Sequence, residues 1–274
     1  MSGDSTQQGL PLKGCRILVT RAQEQAATLS DKIGVLGGEA VEFPVIEIQP
    51  PTHPEILDTA INRLKQIDWV VFTSVNGVHA FWRRLSELQV DTRQMEHVRV
   101  AAVGPKTAAA VEEKGVPVDY LPQEYRAEAL IEVLRSQVKP GDQILLPRAN
   151  IARPLLAQKL RELGCDVIDA PAYDTRPSKR VAGDFVRVLE EGPIDVITFT
   201  SSSTVRAFIQ ALQGETIDLN QYIHQTHIAC IGPITAETAR KMDLKVDVIA
   251  EPYTIDGLIE AITRLPKKTK EESR

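Results

Sequence analysis

The stretch DWVVFTSVNGVHAF, Asp68 to Phe81, reads as a buried strand, a Thr-Ser stop, a tight turn and then a helix. Its apolar run is β-branched and aromatic, as a strand covered on both faces requires. The design returns 127 residues later in DVITFTSSSTVRAF, Asp195 to Phe208. In each copy Asn76 or Ser203 stands where the helix N-cap is expected. The same spacing relates GCRILVTR, starting at Gly14, to GDQILLPR, starting at Gly141, and Leu36-Gly37 to Leu163-Gly164. One residue more relates AVGP at 102–105 to CIGP at 230–233, Val118-Asp119 to Val246-Asp247, and Tyr125 to Tyr253. A period this long marks a duplicated, domain-sized unit, because solenoid repeats run only about 20 to 50 residues.

Hydrophobic periodicity fills in each copy. In the first, strands are expected at 16–20, 40–48, 69–73, 98–103 and 117–121, and helices at 23–35, 54–65, 76–88, 105–114 and 126–137. The second predicts strands at 143–147, 166–175, 194–200, 227–231 and 246–249, with helices at 153–163, 179–190, 203–212, 233–242 and 254–264. Residues 93–97 read as polar connection. Residues 1–12 and 266–274 read as disordered tails. Strands followed by helices, apolar throughout, call for parallel sheets with both faces covered and right-handed crossovers. Five βα units per copy suit a flavodoxin-like arrangement, and the repeat alone would divide the chain at Pro140.

Composition sets outer bounds. The 274 residues are 43% hydrophobic and 25% charged, an ordinary globular balance with enough chain for two cores. A net charge of −5 argues against nonspecific nucleic-acid binding. Cys15, Cys165 and Cys230 form neither a disulfide framework nor a CxxC metal motif. The opening MSGDSTQQGL has no apolar signal region, and no stretch approaches 18 apolar residues, so a cytoplasmic, non-membrane protein is expected.

The remaining oddities fall at predicted carboxyl ends of strands: Thr20-Arg21, Thr73-Ser74, Gly104-Pro105, Pro147-Arg148, Thr200 to Ser203 and Gly232-Pro233. Ligands of open parallel sheets bind at that edge, where helix N-termini present backbone N–H groups. Singly, Thr-Ser reads equally as capping, Gly-Pro as turn chemistry and each arginine as a solvated surface charge. Doubled, they describe an anion-binding surface, with Arg21 and Arg148 as positive forks for carboxylate or phosphate. There is no GxGxxG after the first strand, no GxxxxGK[ST], no GxSxG elbow and no strand-end acid of a phosphoacceptor domain. His53, His79, His97, His224 and His227 are scattered without a ligand cluster.

Together, TR at 20–21, VVFTSVNGV at 70–78, AAVGPKTA at 101–108, PAYDTRP at 171–177, ITFTSSSTV at 197–205, ACIGPITAETA at 229–239 and the late Tyr253 with GL at 257–258 resemble uroporphyrinogen-III synthase. The resemblance runs from about Gly14 to Leu265. No single motif is distinctive; their order and spacing are. Ile234 departs from the family, which often has a second threonine there, while Thr235 keeps the adjacent hydroxyl.

That resemblance implies two similar flavodoxin-like parallel-sheet domains joined by a two-stranded linker, with a cleft between them. Carried onto this sequence, domain one is 14–44 with 175–265, domain two is 50–170, and the linker strands are 45–49 and 171–174. It also implies a cofactor-independent, metal-free, monomeric lyase of haem and other tetrapyrrole biosynthesis. The family closes hydroxymethylbilane, a linear tetrapyrrole with eight carboxylates, to uroporphyrinogen III and water. Ring D is inverted through an azafulvene and a spiro intermediate. A transient contact with the preceding deaminase belongs to the same expectation. By resemblance Tyr173 is the nominee for helping the hydroxyl leave, with a packed linker aromatic as the plainer reading, and Thr235 follows it. Substrate-binding candidates are Arg21, Ser74, Asn76, Gly77, Lys106, Thr107, Arg148, Ser201, Ser202, Ser203 and Pro233. Two other classes compete: a non-catalytic two-lobed binding protein for a small polyanion, and a flavin-dependent electron carrier.

Overall fold

The apolar runs become short strands, and the 3.6-residue patterns become the helices that follow them. The computed structural model describes residues 9–178, 182–212 and 225–266. The first elements are β1 (Arg16–Val19), α1 (Gln23–Val35), β2 (Glu39–Glu42), β3 (Ile46–Gln49), α2 (Glu55–Asn62), β4 (Trp69–Phe72), α3 (Val75–Glu87), β5 (Arg99–Ala102), α4 (Pro105–Glu112) and α5 (Ala127–Arg135). Then come β6 (Gln143–Ala149), α6 (Leu155–Glu162), β7 (Asp166–Pro177), α7 (Ala182–Glu190), β8 (Val196–Phe199), α8 (Ser202–Leu212), β9 (His227–Cys230), α9 (Pro233–Arg240), β10 (Val246–Ile249) and α10 (Ile255–Thr263).

These elements form two five-stranded sheets in two compact units. Described residues up to Glu47, with those from Arg176 onward, make the first unit; Ile48–Thr175 makes the second. The first sheet has the order β10-β9-β8-β1-β2, the flavodoxin-like order, and its recorded pairings are all parallel. The second runs β3-β7-β6-β4-β5. Each sheet therefore takes its β1-β2 or β6-β7 pair from one sequence copy and its remaining strands from the other. A division at Pro140 is wrong for this reason. The copies are similar enough for either leading βα unit to complete either sheet, and chain order does not say which one does.

The opening motif explains why its two copies fold alike. Phe72 ends β4 and meets Phe81 of α3 edge-on, with ring centroids 5.6 Å apart at 67°. Phe199 and Phe208 repeat the contact at 5.5 Å and 67°. All four rings are buried, and such pairs add about 1 kcal/mol beyond their area. The carboxylates at strand starts are duplicated too. Asp68 and Asp195 accept the N–H groups of Gln143 and Arg16, while Asp119 and Asp247 accept those of Val100 and Ile228. Thr20 and Thr198 donate reciprocally to Thr198 O and Leu18 O, fastening β1 to β8.

Several expectations change. The caps are Ser74 and Ser201, each two residues earlier than expected: Ser74 Oγ accepts from Gly77 N at 3.1 Å and Ser201 Oγ from Thr204 N at 3.2 Å. The strand expected at 117–121 reduces to one parallel bridge, Ala101 with Tyr120. The extended run 40–48 breaks into β2 and β3 around Pro44. Within the polar connection, Thr92–Met95 makes a 3-10 turn that buries Met95. Of the expected tails, 1–8 and 267–274 lie outside the described residues, as do His224 and the start expected for the 179–190 helix. Leu12 is core rather than tail: it packs with Ile17, Ile33 and Ile262, and its N–H donates to Leu36 O. No helix among the described residues is long and apolar enough to cross a membrane.

Candidate functional site

Parallel pairing puts the carboxyl ends of neighbouring strands on one edge of each sheet, and the candidate residues fall on those two edges. In the second unit β4 leads into Ser74, β5 into Gly104-Pro105, and the β6–β7 pairing ends just past Arg148, at Ala149 with Tyr173. Tyr173 reaches its position through an irregularity. The β6–β7 register runs Arg148 opposite Pro171 and then Ala149 opposite Tyr173, so one residue of β7 is extra and the strand is re-aimed there. Asn150 fixes the backbone at the carboxyl side of the tyrosine. Its N–H donates to Tyr173 O at 3.1 Å, and its Oδ1 accepts from Thr175 N at 2.9 Å.

The Tyr173 ring packs in the core of this unit, and the residue is 7% exposed. Its phenol lies 3.0 Å from Ser74 Oγ and is also hydrogen-bonded by the Asn76 side chain. Burial pushes the phenol pKa up, against the smaller opposing pull of those two partners. Tyr173 therefore carries its proton throughout the neutral range. Tyr173 thus meets Ser74, Asn76 and Gly77 at the amino end of α3, although it lies far from them in sequence.

Gly77 serves packing. A Cβ there would lie 2.6 Å from Pro147 O, so the first turn of α3 rests directly on the backbone of β6. Gly77→Ala is expected to cost about 1–3 kcal/mol of stability and to displace Ser74 and Asn76 from Tyr173. Urea denaturation together with kcat measures both effects.

The two arginines part company. Arg148 is not the open fork that its strand-end position suggested. It is 4% exposed, its Nε and Nη2 grip Asp169, and Nη1 donates to Arg153 O at 2.6 Å. In the first unit Glu42 stands at the position corresponding to Asp169, but it accepts from Ser30 instead. Arg21 donates through Nη2 to Gln25 at 3.1 Å, while its Nε is buried without a hydrogen-bond partner. Burial lowers the Arg21 pKa, yet an arginine so shifted remains cationic at neutral pH. Arg21 is thus a half-buried cation with an unsatisfied donor at the carboxyl end of β1.

On the same edge of the first sheet, Ser201 Oγ lies 2.8 Å from Ser203 Oγ, and Ser202 Oγ accepts from Thr238 Oγ1 at 2.8 Å. Ser202 also donates to Ile234 O, which ties α8 to α9. Thr235 is buried in the third position of α9; the N-cap of that helix is Gly232, and Pro233 is exposed at the first turn. Thr107 holds the matching buried place in α4, and Lys106 beside it is exposed.

Two tyrosines, matched as a repeat pair yet not chosen as site residues, belong on these edges. A Cβ on Gly104 would meet Tyr125 at 3.6 Å, and one on Gly232 would meet Tyr253 at 3.6 Å. Both rings are large and exposed beside a Gly-Pro helix start. Burial pushes the Cys230 thiol up to about 12 and raises Cys165 as well, so neither is a thiolate nucleophile at neutral pH. Among the described residues no group of three or more His, Cys, Asp or Glu is placed to hold a metal ion.

Comparison with known proteins gives consistent matches. A family model described as uroporphyrinogen-III synthase HemD matches residues 27–260. The uroporphyrinogen-III synthase of Synechococcus elongatus is 34% identical over 261 residues, covering 94% of this chain and 98% of that protein. That of Chlorobaculum parvum is 28% identical, covering 92% of this chain and 99% of the relative. Among solved structures, a mutant uroporphyrinogen III synthase from Thermus thermophilus superposes with a TM-score of 0.66 at 20% identity, covering 91% of this chain and 98% of that one. Uroporphyrinogen-III synthetase from Helicobacter pylori gives 0.55 at 15% identity, with 90% and 96% covered. At these identities the structural likeness bears on the fold: two similar α/β sheet domains.

Proposed function

This chain belongs to the uroporphyrinogen-III synthase family, and from that premise we propose that it converts hydroxymethylbilane to uroporphyrinogen III and water with inversion of ring D. The observation that carries the reading is the Tyr173 phenol, which is proton-bearing, nearly buried and held by Ser74 and Asn76 at a strand end. In the reaction the terminal hydroxyl leaves with a donated proton as water, giving an azafulvene. The substituted α-carbon of ring D attacks that carbon and forms a spiro-pyrrolenine. Fragmentation and reclosure at the other α-position, with loss of one proton, complete the macrocycle and restore the proton balance. Tyr173 is the proposed donor to the departing hydroxyl.

The remaining work is positioning. The free bilane closes readily to the unrearranged isomer, so the protein must hold one conformation in which inverted closure wins. Its substrate has eight carboxylates, and Arg21, Lys106, the hydroxyls of Ser201 to Ser203 and the first turns of α4 and α9 suit them. Thr107 and Thr235, both buried, shape those turns. The drawn reaction moves protons and one water, and the proposed chemistry uses no cofactor.

The test is product analysis of purified protein supplied with enzymatically generated hydroxymethylbilane. Isomer III is expected in excess; isomer I alone, from a protein shown to be folded, overturns the proposal. Contacts spread over many groups make single hydroxyls dispensable. Ser202→Ala is therefore expected to lower the rate less than about tenfold, roughly 1 kcal/mol, in steady-state kinetics.

A further inference from the structure

Apolar side chains scattered singly over a surface need no explanation. Two of them here are not scattered. Among the exposed large hydrophobic side chains of the described residues, only Tyr125 and Tyr253 hold matching positions in the two sequence copies. Val35 and Ile151, by contrast, correspond to Glu162 and Glu24. Tyr125 is 44% exposed and Tyr253 51%, each at the carboxyl edge of its own sheet.

In the first unit Tyr253 Cγ lies 3.6 Å, and Cδ1 3.8 Å, from the place a Cβ on Gly232 would take, so the ring rests against the N-cap glycine of α9. In the second, Tyr125 Cβ and Cγ lie 3.6 and 3.9 Å from the same place on Gly104, the N-cap of α4. Among the described residues neither phenol has a hydrogen-bond partner and neither ring an aromatic one. The loops beneath them are nevertheless well held. Thr254 Oγ1 accepts from Gly257 N at 3.1 Å, and Thr254 N–H donates to Pro252 O at 2.7 Å. A Cβ on Gly257 would fall 2.1 Å from Pro252 O, so the first turn of α10 rests directly on the residue before Tyr253. Tyr125 is bracketed by Arg126, whose N–H donates to Glu124 O at 2.8 Å and whose Nε donates to Glu124 Oε2 at 2.6 Å. Each tyrosine is an aromatic face on an ordered loop, and a ring bound there costs little further ordering.

We propose that Tyr125 and Tyr253 are positioning residues for the substrate, each offering its ring to a pyrrole of the bilane. The proposal rests on the reading above, in which the first turns of α4 and α9 take carboxylates. The bilane carries its carboxylates on its pyrroles, so a carboxylate at either helix start brings its ring to the tyrosine beside that start. A pyrrole is planar and aromatic, and it packs offset or edge-on against a phenol ring. Such a contact forms on binding and persists through the reaction, so it lowers KM and leaves kcat alone. That separates this pair from Tyr173, whose loss falls on kcat.

The experiment is steady-state kinetics on Tyr253→Ala, Tyr253→Phe, Tyr125→Ala and Tyr125→Phe, with a melting temperature for each. Formation of isomer III by wild type establishes the reading on which the proposal rests, and its failure overturns both. With isomer III formed, each alanine variant is expected to raise KM about three- to tenfold at unchanged kcat and Tm, while each phenylalanine variant keeps the wild-type KM. A wild-type KM in either alanine variant, or an equal rise in its phenylalanine counterpart, overturns the role of that ring and leaves the reaction standing. A fall in kcat with a lowered Tm assigns the tyrosine to structure and overturns it as well. Should an alanine variant fold poorly, leucine at the same position decides, since it keeps apolar bulk without a flat face and is expected to raise KM likewise.

Discussion

Replacing Tyr173 by phenylalanine is expected to lower kcat by about 10 to 100-fold with little change in KM, equivalent to roughly 1.4–2.7 kcal/mol in the transition state. The substitution removes one oxygen and keeps the ring, which packs in the core of its unit. The fold should therefore survive. Ser74 Oγ keeps its bond from Gly77 N, so the start of α3 stays capped. What disappears is a proton donor that acts only as the hydroxyl departs, and such a loss falls on kcat. Steady-state kinetics with circular dichroism tests this. A fully active Tyr173→Phe beside a dead Ser202→Ala would invert the proposed division between one donor and many holding contacts.

The same phenol gives a pH expectation. Its pKa lies above the ordinary value of 10.0 because burial opposes the phenolate. The folded state thus favours the neutral form, and that contribution to stability is present below the unfolded value and lost as pH rises through the folded one. An alkaline limb in kcat owed to Tyr173 should lie above 10.0 and vanish in Tyr173→Phe.

What the sequence disclosed, and what it hid, follows from how local each feature is. The strand-stop-helix motif is contiguous, so its β-branched run and its two phenylalanines announce both the element order and the Phe72–Phe81 and Phe199–Phe208 contacts that secure it. The cap positions were ambiguous because Ser201, Ser202 and Ser203 offer three phases, and only the end of β8 selects Ser201. Pairing between copies is a long-range choice between similar partners, which no local pattern records. Tyr173 illustrates both sides. Family resemblance marked the residue, but its partners lie about a hundred positions away, and Asn150, which fixes its backbone, has no motif at all.

Arg148 yields the second large expectation, because two readings of it predict opposite measurements. As a substrate fork, Arg148→Leu would leave the protein stable and raise KM. As found, the guanidinium is buried between Asp169 of β7 and Arg153 O, immediately before the register shift that re-aims Tyr173. Removing it leaves the Asp169 carboxylate without its cation and a carbonyl without its donor. Breaking a fully buried pair costs about 3–5 kcal/mol; with the Asp169 side chain 34% exposed, water screens part of that loss. The expected destabilisation is therefore about 3 kcal/mol in urea denaturation. Adding Asp169→Leu should recover a large part of it, since an apolar pair can replace a buried ionic one. Activity measured on the folded fraction should fall in kcat rather than rise in KM, because the bulge beneath Tyr173 loses its brace. A stable Arg148→Leu protein with a raised KM alone would return Arg148 to the substrate and detach it from the placement of Tyr173.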